Sequence, residues 1–126
     1  MRHERHYTVE QANAAIGWVR ERIERMRAAR EQLGDEDARA ALSDAAPANG
    51  GGQPGLVVSE AFLELQSALR DLQEMEVVLR DLERGLIDFP ALRDGREVYL
   101  CWIDGEDDIG FWHDLDAGYA GRQPLE

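Results

Sequence analysis

Lysine is absent from the 126-residue sequence, and all 14 of its basic residues are arginine. No P-loop lysine and no Schiff-base lysine is therefore available, which excludes two common kinds of catalytic site. The arginines are outnumbered by 26 acidic residues, and the formal net charge is −12. Because such an acidic surface repels phosphate groups, we expect no nucleic-acid partner.

Cysteine and long apolar segments are also scarce. Cys101 is the only cysteine, so no intramolecular disulfide can form and a reducing compartment is expected. The longest apolar runs, residues 14–19 and 98–103, are too short to cross a bilayer. The first residues are basic but lack the apolar segment of a secretory signal. We therefore expect a cytoplasmic protein with no membrane partner.

A capping box marks the start of a first helix, since Thr8 is followed three residues later by Gln11. Beyond it, apolar residues recur every three or four positions, interrupted only by Arg30, a spacing close to that of a coiled coil. This pattern predicts helix one over residues 8–34 of a single domain, 1–126. Its apolar stripe consists of Ala12, Ile16, Val19, Ile23, Met26 and Leu33.

Residues 35–57 are predicted to form a linker, because glycine and proline dominate its stretch 47–55. The first part of this linker, residues 35–46, could also extend helix one. A second apolar stripe then predicts helix two over residues 58–85, ended by Gly85 as a C-terminal cap. Helices of similar length joined by a loop suggest a long antiparallel hairpin.

The apolar period changes from helical to alternating in residues 86–126. A short strand is expected to stop at Pro90, and the turn signals at 94–95 and 104–105 separate two further strands. The predicted fold class is therefore α+β, a helical hairpin followed by a small antiparallel β-hairpin or meander and an irregular tail.

The width of the helical stripes predicts self-association, because a lone hairpin buries only one side of each helix. We expect a homodimer, and a protein partner is a further option. In the competing arrangement the β-meander folds back and covers the stripes. The residues assigned to the oligomer interface are Ile16, Val19, Ile23, Leu65, Leu69, Leu72 and Leu79.

Four residues are candidates for a divalent-metal site, namely Cys101, His113, Asp114 and Asp116. A thiolate, an imidazole and carboxylates can bind zinc, and a Cys–His pair can also perform nucleophilic chemistry. No motif requires a cofactor, however, and the spacing matches no known metal motif. Cys101 and His113 share a sheet face only if paired residue numbers add up to an even value. The preferred interpretation, whatever the register, is that Cys101 is a small buried residue and His113 a hydrogen-bonded structural one.

Aromatic and arginine side chains concentrate in the same third of the chain. Aromatic faces beside guanidinium groups could bind a planar or anionic ligand. They could equally form a small core with arginines on its rim. The candidate ligand-binding residues are Arg93, Arg96, Trp102, Trp112 and Arg122. His3 and His6 stand in a start that we expect to be frayed.

The segments 7–14, 88–91, 94–102 and 111–125 resemble the bacterial family known as domain of unknown function 2203. The resemblance implies a small soluble bacterial protein without an assigned activity, so it provides no catalytic or binding residues. We therefore predict a non-enzymatic, self-associating helical-hairpin interaction module. The alternative is a metal- or ligand-binding protein or enzyme with a site around Cys101, His113, Asp116 and Arg122.

Overall fold

Helix α1, Val9–Glu31, begins at the predicted capping box. The backbone N–H of Gln11 donates to Thr8 Oγ1 (3.0 Å), and the backbone N–H of Thr8 donates to Gln11 Oε1 (3.0 Å). Two otherwise unpaired donors are thereby satisfied. The computed structural model describes residues 1–43 and 59–125, and within them α1 confirms most of the first predicted helix.

A separate short helix, α2, follows at Asp35–Ala41. This corrects the linker prediction, which began at residue 35, and it equally replaces the extension of helix one. The helix is anchored because Ala38 and Ala41 are buried in the core. The glycine- and proline-rich stretch 47–55 lies outside the described residues.

Helix α3 spans Glu60–Glu74 and is much shorter than the predicted second helix, 58–85. It ends in a Schellman motif whose left-handed residue is Glu76, with φ of 56°. The N–H of Val77 donates to the carbonyl of Leu72 (2.9 Å) and the N–H of Glu76 to that of Gln73 (3.0 Å). The remainder of the predicted helix is strand β1 and a turn.

The strands β1 (Val78–Asp81), β2 (Leu86–Arg93), β3 (Arg96–Ile103), β4 (Phe111–Asp114) and β5 (Gln123–Pro124) form an antiparallel meander in that order. A single 3₁₀ turn, Tyr119–Gly121, precedes β5. Strand β2 continues through Pro90, contrary to expectation, because β1 pairs only with its first residues. The carbonyl of Pro90 instead accepts the N–H of Tyr7 (2.7 Å).

The core lies between the helices and one face of the sheet. That face presents Ile87, Phe89, Ala91, Val98, Leu100, Trp102 and Trp112 to the helical stripes. The α+β class is thus confirmed, with α1 and α3 antiparallel, as the pairs Arg25–Glu64 and Arg22–Asp71 indicate. Among the described residues, no helix has both the length and the apolarity that a bilayer crossing requires.

The residues assigned to an oligomer interface occupy this core within one chain. Five of them, Ile16, Val19, Ile23, Leu65 and Leu72, are at most 5% exposed. Leu69 and Leu79 are partly buried against the same cluster. The sheet therefore covers the stripes, as in the competing arrangement, and the homodimer stays a prediction.

Candidate functional site

Three side chains with metal-ligating atoms meet on the sheet face that points away from the helices. Asp88 on β2 is directly opposite Cys101 on β3, and His113 on β4 is opposite Tyr99 on β3. The β3–β4 pairs add up to an even number, so Cys101 and His113 share a face. Asp88, Cys101 and His113 are 1%, 0% and 1% exposed, and one ligand atom from each lies within 4.8 Å of the others.

Both ring nitrogens of His113 have oxygen partners. Nδ1 lies 2.7 Å from the backbone oxygen of Asp114, and Nε2 lies 2.9 Å from Oδ1 of Asp88. A carbonyl oxygen can only accept, so Nδ1 carries a hydrogen. The lone pair of Nε2 then points at a carboxylate oxygen, which is also an acceptor. A positive ion, either a proton or a metal ion, must lie between these two atoms.

Two arginines complete the surroundings of the cluster. Nε of Arg80 donates to Oδ2 of Asp88 (2.8 Å). Nη1 of Arg122 lies 3.9 Å from Sγ of Cys101, while its guanidinium also binds both carboxylate oxygens of Glu106 (3.2 and 2.8 Å). A guanidinium group therefore contacts each of these two groups: Arg80 contacts the carboxylate of Asp88, and Arg122 contacts the sulfur of Cys101.

Cys101 is not arranged as a nucleophile. Burial raises the pKa of its thiol to about 11, Asp88 acts in the same direction, and Arg122 opposes them only in part. Both nitrogens of His113 already bind oxygen atoms, so neither is directed at the thiol as a base. The Cys–His nucleophilic pair considered from the sequence is absent from this arrangement.

The other two carboxylates of the predicted metal set lie elsewhere. Asp114 points away from the cluster, where its side chain is 49% exposed and pairs with Arg96 (2.9 Å). Only its backbone oxygen reaches His113. Asp116 has a 92% exposed side chain, 3.4 Å from Arg2. The structure therefore replaces both of these carboxylates by Asp88, a residue outside the predicted metal set.

The five candidate ligand-binding residues do not form one pocket. The guanidinium groups of Arg93 and Arg96 lie 4.7 and 6.0 Å from the ring centre of Trp112. Trp102 is fully buried on the helix-facing side, whereas Arg122 belongs to the opposite face, beside Cys101. This distribution corresponds to the structural alternative, arginines at the rim of an aromatic core.

Residues 2–7, which we call the N-terminal strap, lie across the edge of the sheet on the side of the cluster. His3 Nε2 contacts the Tyr99 hydroxyl (2.7 Å), and Nδ1 of the same ring contacts Glu76 (3.2 Å). His6 Nε2 lies 2.7 Å from Oε2 of Glu97. The start of the chain is therefore ordered rather than frayed, and no sequence motif indicates its two glutamate partners.

The strap holds both glutamates in their ionised form. The hydrogen bond with His6 lowers the pKa of Glu97 to about 2 against the effect of burial, and the backbone N–H groups of His3 and Arg2 add to it. Burial opposes ionisation of Glu76, but hydrogen bonds from the strap outweigh it and lower the pKa. Tyr99 connects the strap to the cluster: its hydroxyl contacts His3, and the centre of its ring lies 5.6 Å from the centre of the His113 ring.

The chain is similar to one described family. The family model for the uncharacterized conserved protein DUF2203 matches residues 5–125. Because the match covers nearly the whole chain, this protein belongs to that family. No curated protein and no solved structure shows a significant match to the chain.

Proposed function

We propose that this protein binds a divalent transition-metal ion, zinc in the first instance, through Asp88, Cys101 and His113. One observation carries the proposal: Nε2 of His113 faces Oδ1 of Asp88 at 2.9 Å while Nδ1 is committed to a carbonyl oxygen. A metal ion that replaces the proton between the two atoms forms a coordinate bond with each of them. The thiol of Cys101 is close enough to supply the third.

The dimensions of the cluster support zinc. Tetrahedral zinc has bonds of about 2.0–2.3 Å to nitrogen, oxygen and sulfur, which places its ligand atoms about 3.4–3.6 Å apart. The Nε2–Oδ1 distance of 2.9 Å therefore has to widen by about half an ångström. The three ligand atoms lie within 4.8 Å of one another, so the longest separation has to shorten by up to about 1.3 Å. A mixed nitrogen, oxygen and sulfur set suits zinc or cobalt better than calcium or magnesium.

Outer partners of each ligand also favour a metal ion. The carbonyl of Asp114 orients the imidazole, Arg80 binds the carboxylate oxygen that faces away from His113, and Arg122 lies beside the sulfur. Metal ligands in proteins are commonly held in this way by a second layer of hydrogen bonds. Binding displaces both the thiol proton and the proton between His113 and Asp88. The thiolate and the Asp88 carboxylate together then offset the two positive charges of the ion.

Cobalt(II) titration of the chelator-treated protein tests the proposal. We expect one Co²⁺ per chain with thiolate-to-cobalt absorption that disappears in Cys101→Ser. His113→Ala and Asp88→Asn each remove a direct ligand and should weaken zinc binding by more than about 10- to 100-fold, which is what the loss of an outer hydrogen-bonding partner costs. Asp116→Asn is the matched control and should bind like the parent protein. A folded parent protein that takes up no Co²⁺, or that binds it without thiolate absorption, would refute the assignment.

Self-association, the function predicted from the apolar stripes, stays a proposal without a located surface. Its predicted interface residues fill the core of one chain. The metal-binding function is preferred because its residues are together and suitably oriented.

A further inference from the structure

A cleft of about 600 Å³ opens beside strand β1, outside the metal-ligand cluster. Its volume is typical of sites for small organic molecules. Six of the residues that line the cleft are apolar and can contact a hydrocarbon chain. The apolar lining consists of Leu42, Leu69, Val77, Val78, Leu79 and Leu82.

Arg80 brings a positive charge to the lining of this cleft. Its side chain is 40% exposed, and only Nε is used in the bond to Asp88. Neither terminal nitrogen forms a hydrogen bond with a residue in the ranges 1–43 and 59–125. The guanidinium therefore presents unused donors in a geometry that suits a carboxylate or phosphate.

Glu76 restricts the charge that the cleft can accept. Its carboxylate lines the same cleft and receives hydrogen bonds from the backbone N–H groups of Glu4 (3.2 Å) and Arg5 (2.7 Å). Because these bonds keep Glu76 ionised, a ligand with two negative charges would meet repulsion beside Arg80. A single negative charge halves this repulsion.

We propose that the cleft binds a monoanionic amphiphile, a carboxylate with an unbranched apolar chain, whose head group pairs with Arg80 and whose chain lies on Leu69, Leu79 and Leu82. This site goes beyond the metal-binding function, because it requires neither Cys101 nor a metal ion.

Octanoate is the probe, and its binding to the full chain is measured by calorimetry and by NMR shifts. We expect saturable binding, weakened about 10- to 100-fold in Arg80→Met, because a charge-assisted pair is removed. Octanol, which has a similar chain and no charge, should bind at least about tenfold more weakly than octanoate. Octyl phosphate should also bind more weakly, since it carries more than one negative charge near neutral pH.

Two further variants guard against a folding defect in Arg80→Met, which also loses its bond to Asp88. Leu69→Trp keeps Arg80 but fills the cleft, and it should abolish octanoate binding while leaving Co²⁺ binding intact. Arg39→Met removes an exposed arginine of α2 and should bind octanoate normally, as should Cys101→Ser. Unsaturable binding, equal affinity for octanol, or undiminished binding by Leu69→Trp would overturn the site.

Discussion

Gly85 shows how a single residue fixes the turn between β1 and β2. Its φ is +64°, and a Cβ added there would lie 2.6 Å from Cβ of Asp104 and 2.9 Å from Nη2 of Arg27. From the sequence, Gly85 is predicted to cap the C-terminus of helix two, a position where a left-handed glycine is common. The structure instead places this left-handed glycine in the turn between two strands.

Replacing Gly85 by alanine should lower the free energy of unfolding by about 1–3 kcal/mol, because the left-handed conformation and the close contacts both penalise a Cβ. Urea denaturation of the variant and the parent measures this difference. Gly17→Ala is the matched control: Gly17 is exposed within α1 and a Cβ there meets nothing within 4 Å. This control should raise stability by up to about 1 kcal/mol. Equal effects of the two substitutions would contradict the steric explanation.

At the scale of elements, the end of α3 is the clearest case in which the sequence pattern was insufficient. The apolar residues of β1, Val78 and Leu79, continue the helical spacing closely enough to resemble another turn. The left-handed residue that follows the helix is Glu76. Glycine is the usual residue at such a position, so the sequence gives no sign that the helix stops there. Its carboxylate binds the strap, so a tertiary contact accounts for the side chain at that position.

Of the two strand pairings that build the cluster, only the register of β2 with β3 was predictable from the sequence. The two-residue turn 94–95 pairs Arg93 with Arg96, and counting back from it places Asp88 opposite Cys101. Asp88 could therefore have been found from the sequence. The connection from β3 to β4, residues 104–110, is too long to fix a register by turn geometry. The position of His113 on the same face consequently required the structure.

The N-terminal strap is bound to the ionised carboxylate of Glu97. We therefore expect the stability of the folded chain to depend on pH in the acid range. The pKa of Glu97 is about 2 in the folded chain against an ordinary value of 4.5. A carboxylate with a lowered pKa stabilises the fold fully above the ordinary value and ceases to do so as the pH falls through the folded value. The parent protein should therefore lose stability relative to Glu97→Gln between about pH 5 and pH 2.

Urea denaturation at several pH values measures this relative stability. Glu24→Gln is the control, since Glu24 is exposed on α1 and has no ion pair in the part of the chain that the structure describes. Its difference from the parent should change little over the same range. A constant difference for Glu97→Gln would show that the strap is not held by this carboxylate.

At the scale of the whole molecule, both faces of the sheet are covered by other parts of the chain. The helices cover the apolar face, and the strap, Arg80 and Arg122 lie over the polar face. The stripes that line the core were predictable, because the helical spacing of their apolar residues can be read directly from the sequence. The sequence could not decide between a second copy and the sheet as their cover, since both offer an apolar surface of similar character.

Leu72 tests which surface covers the stripes. Its side chain is fully buried within one chain, so Leu72→Ala should lower the free energy of unfolding by about 2–5 kcal/mol. Because the contacts are intrachain, the loss should be the same at low and at high protein concentration. Leu63→Ala, at a position that is 52% exposed on α3, should change stability by no more than about 0.5 kcal/mol.

If the unfolding midpoint of the parent rises with concentration and Leu72→Ala removes that dependence, the stripe is an interface between copies. A concentration-independent loss instead assigns Leu72 to the core of a single chain, and a homodimer would then have to form through the exposed surfaces of the helices or the sheet edge.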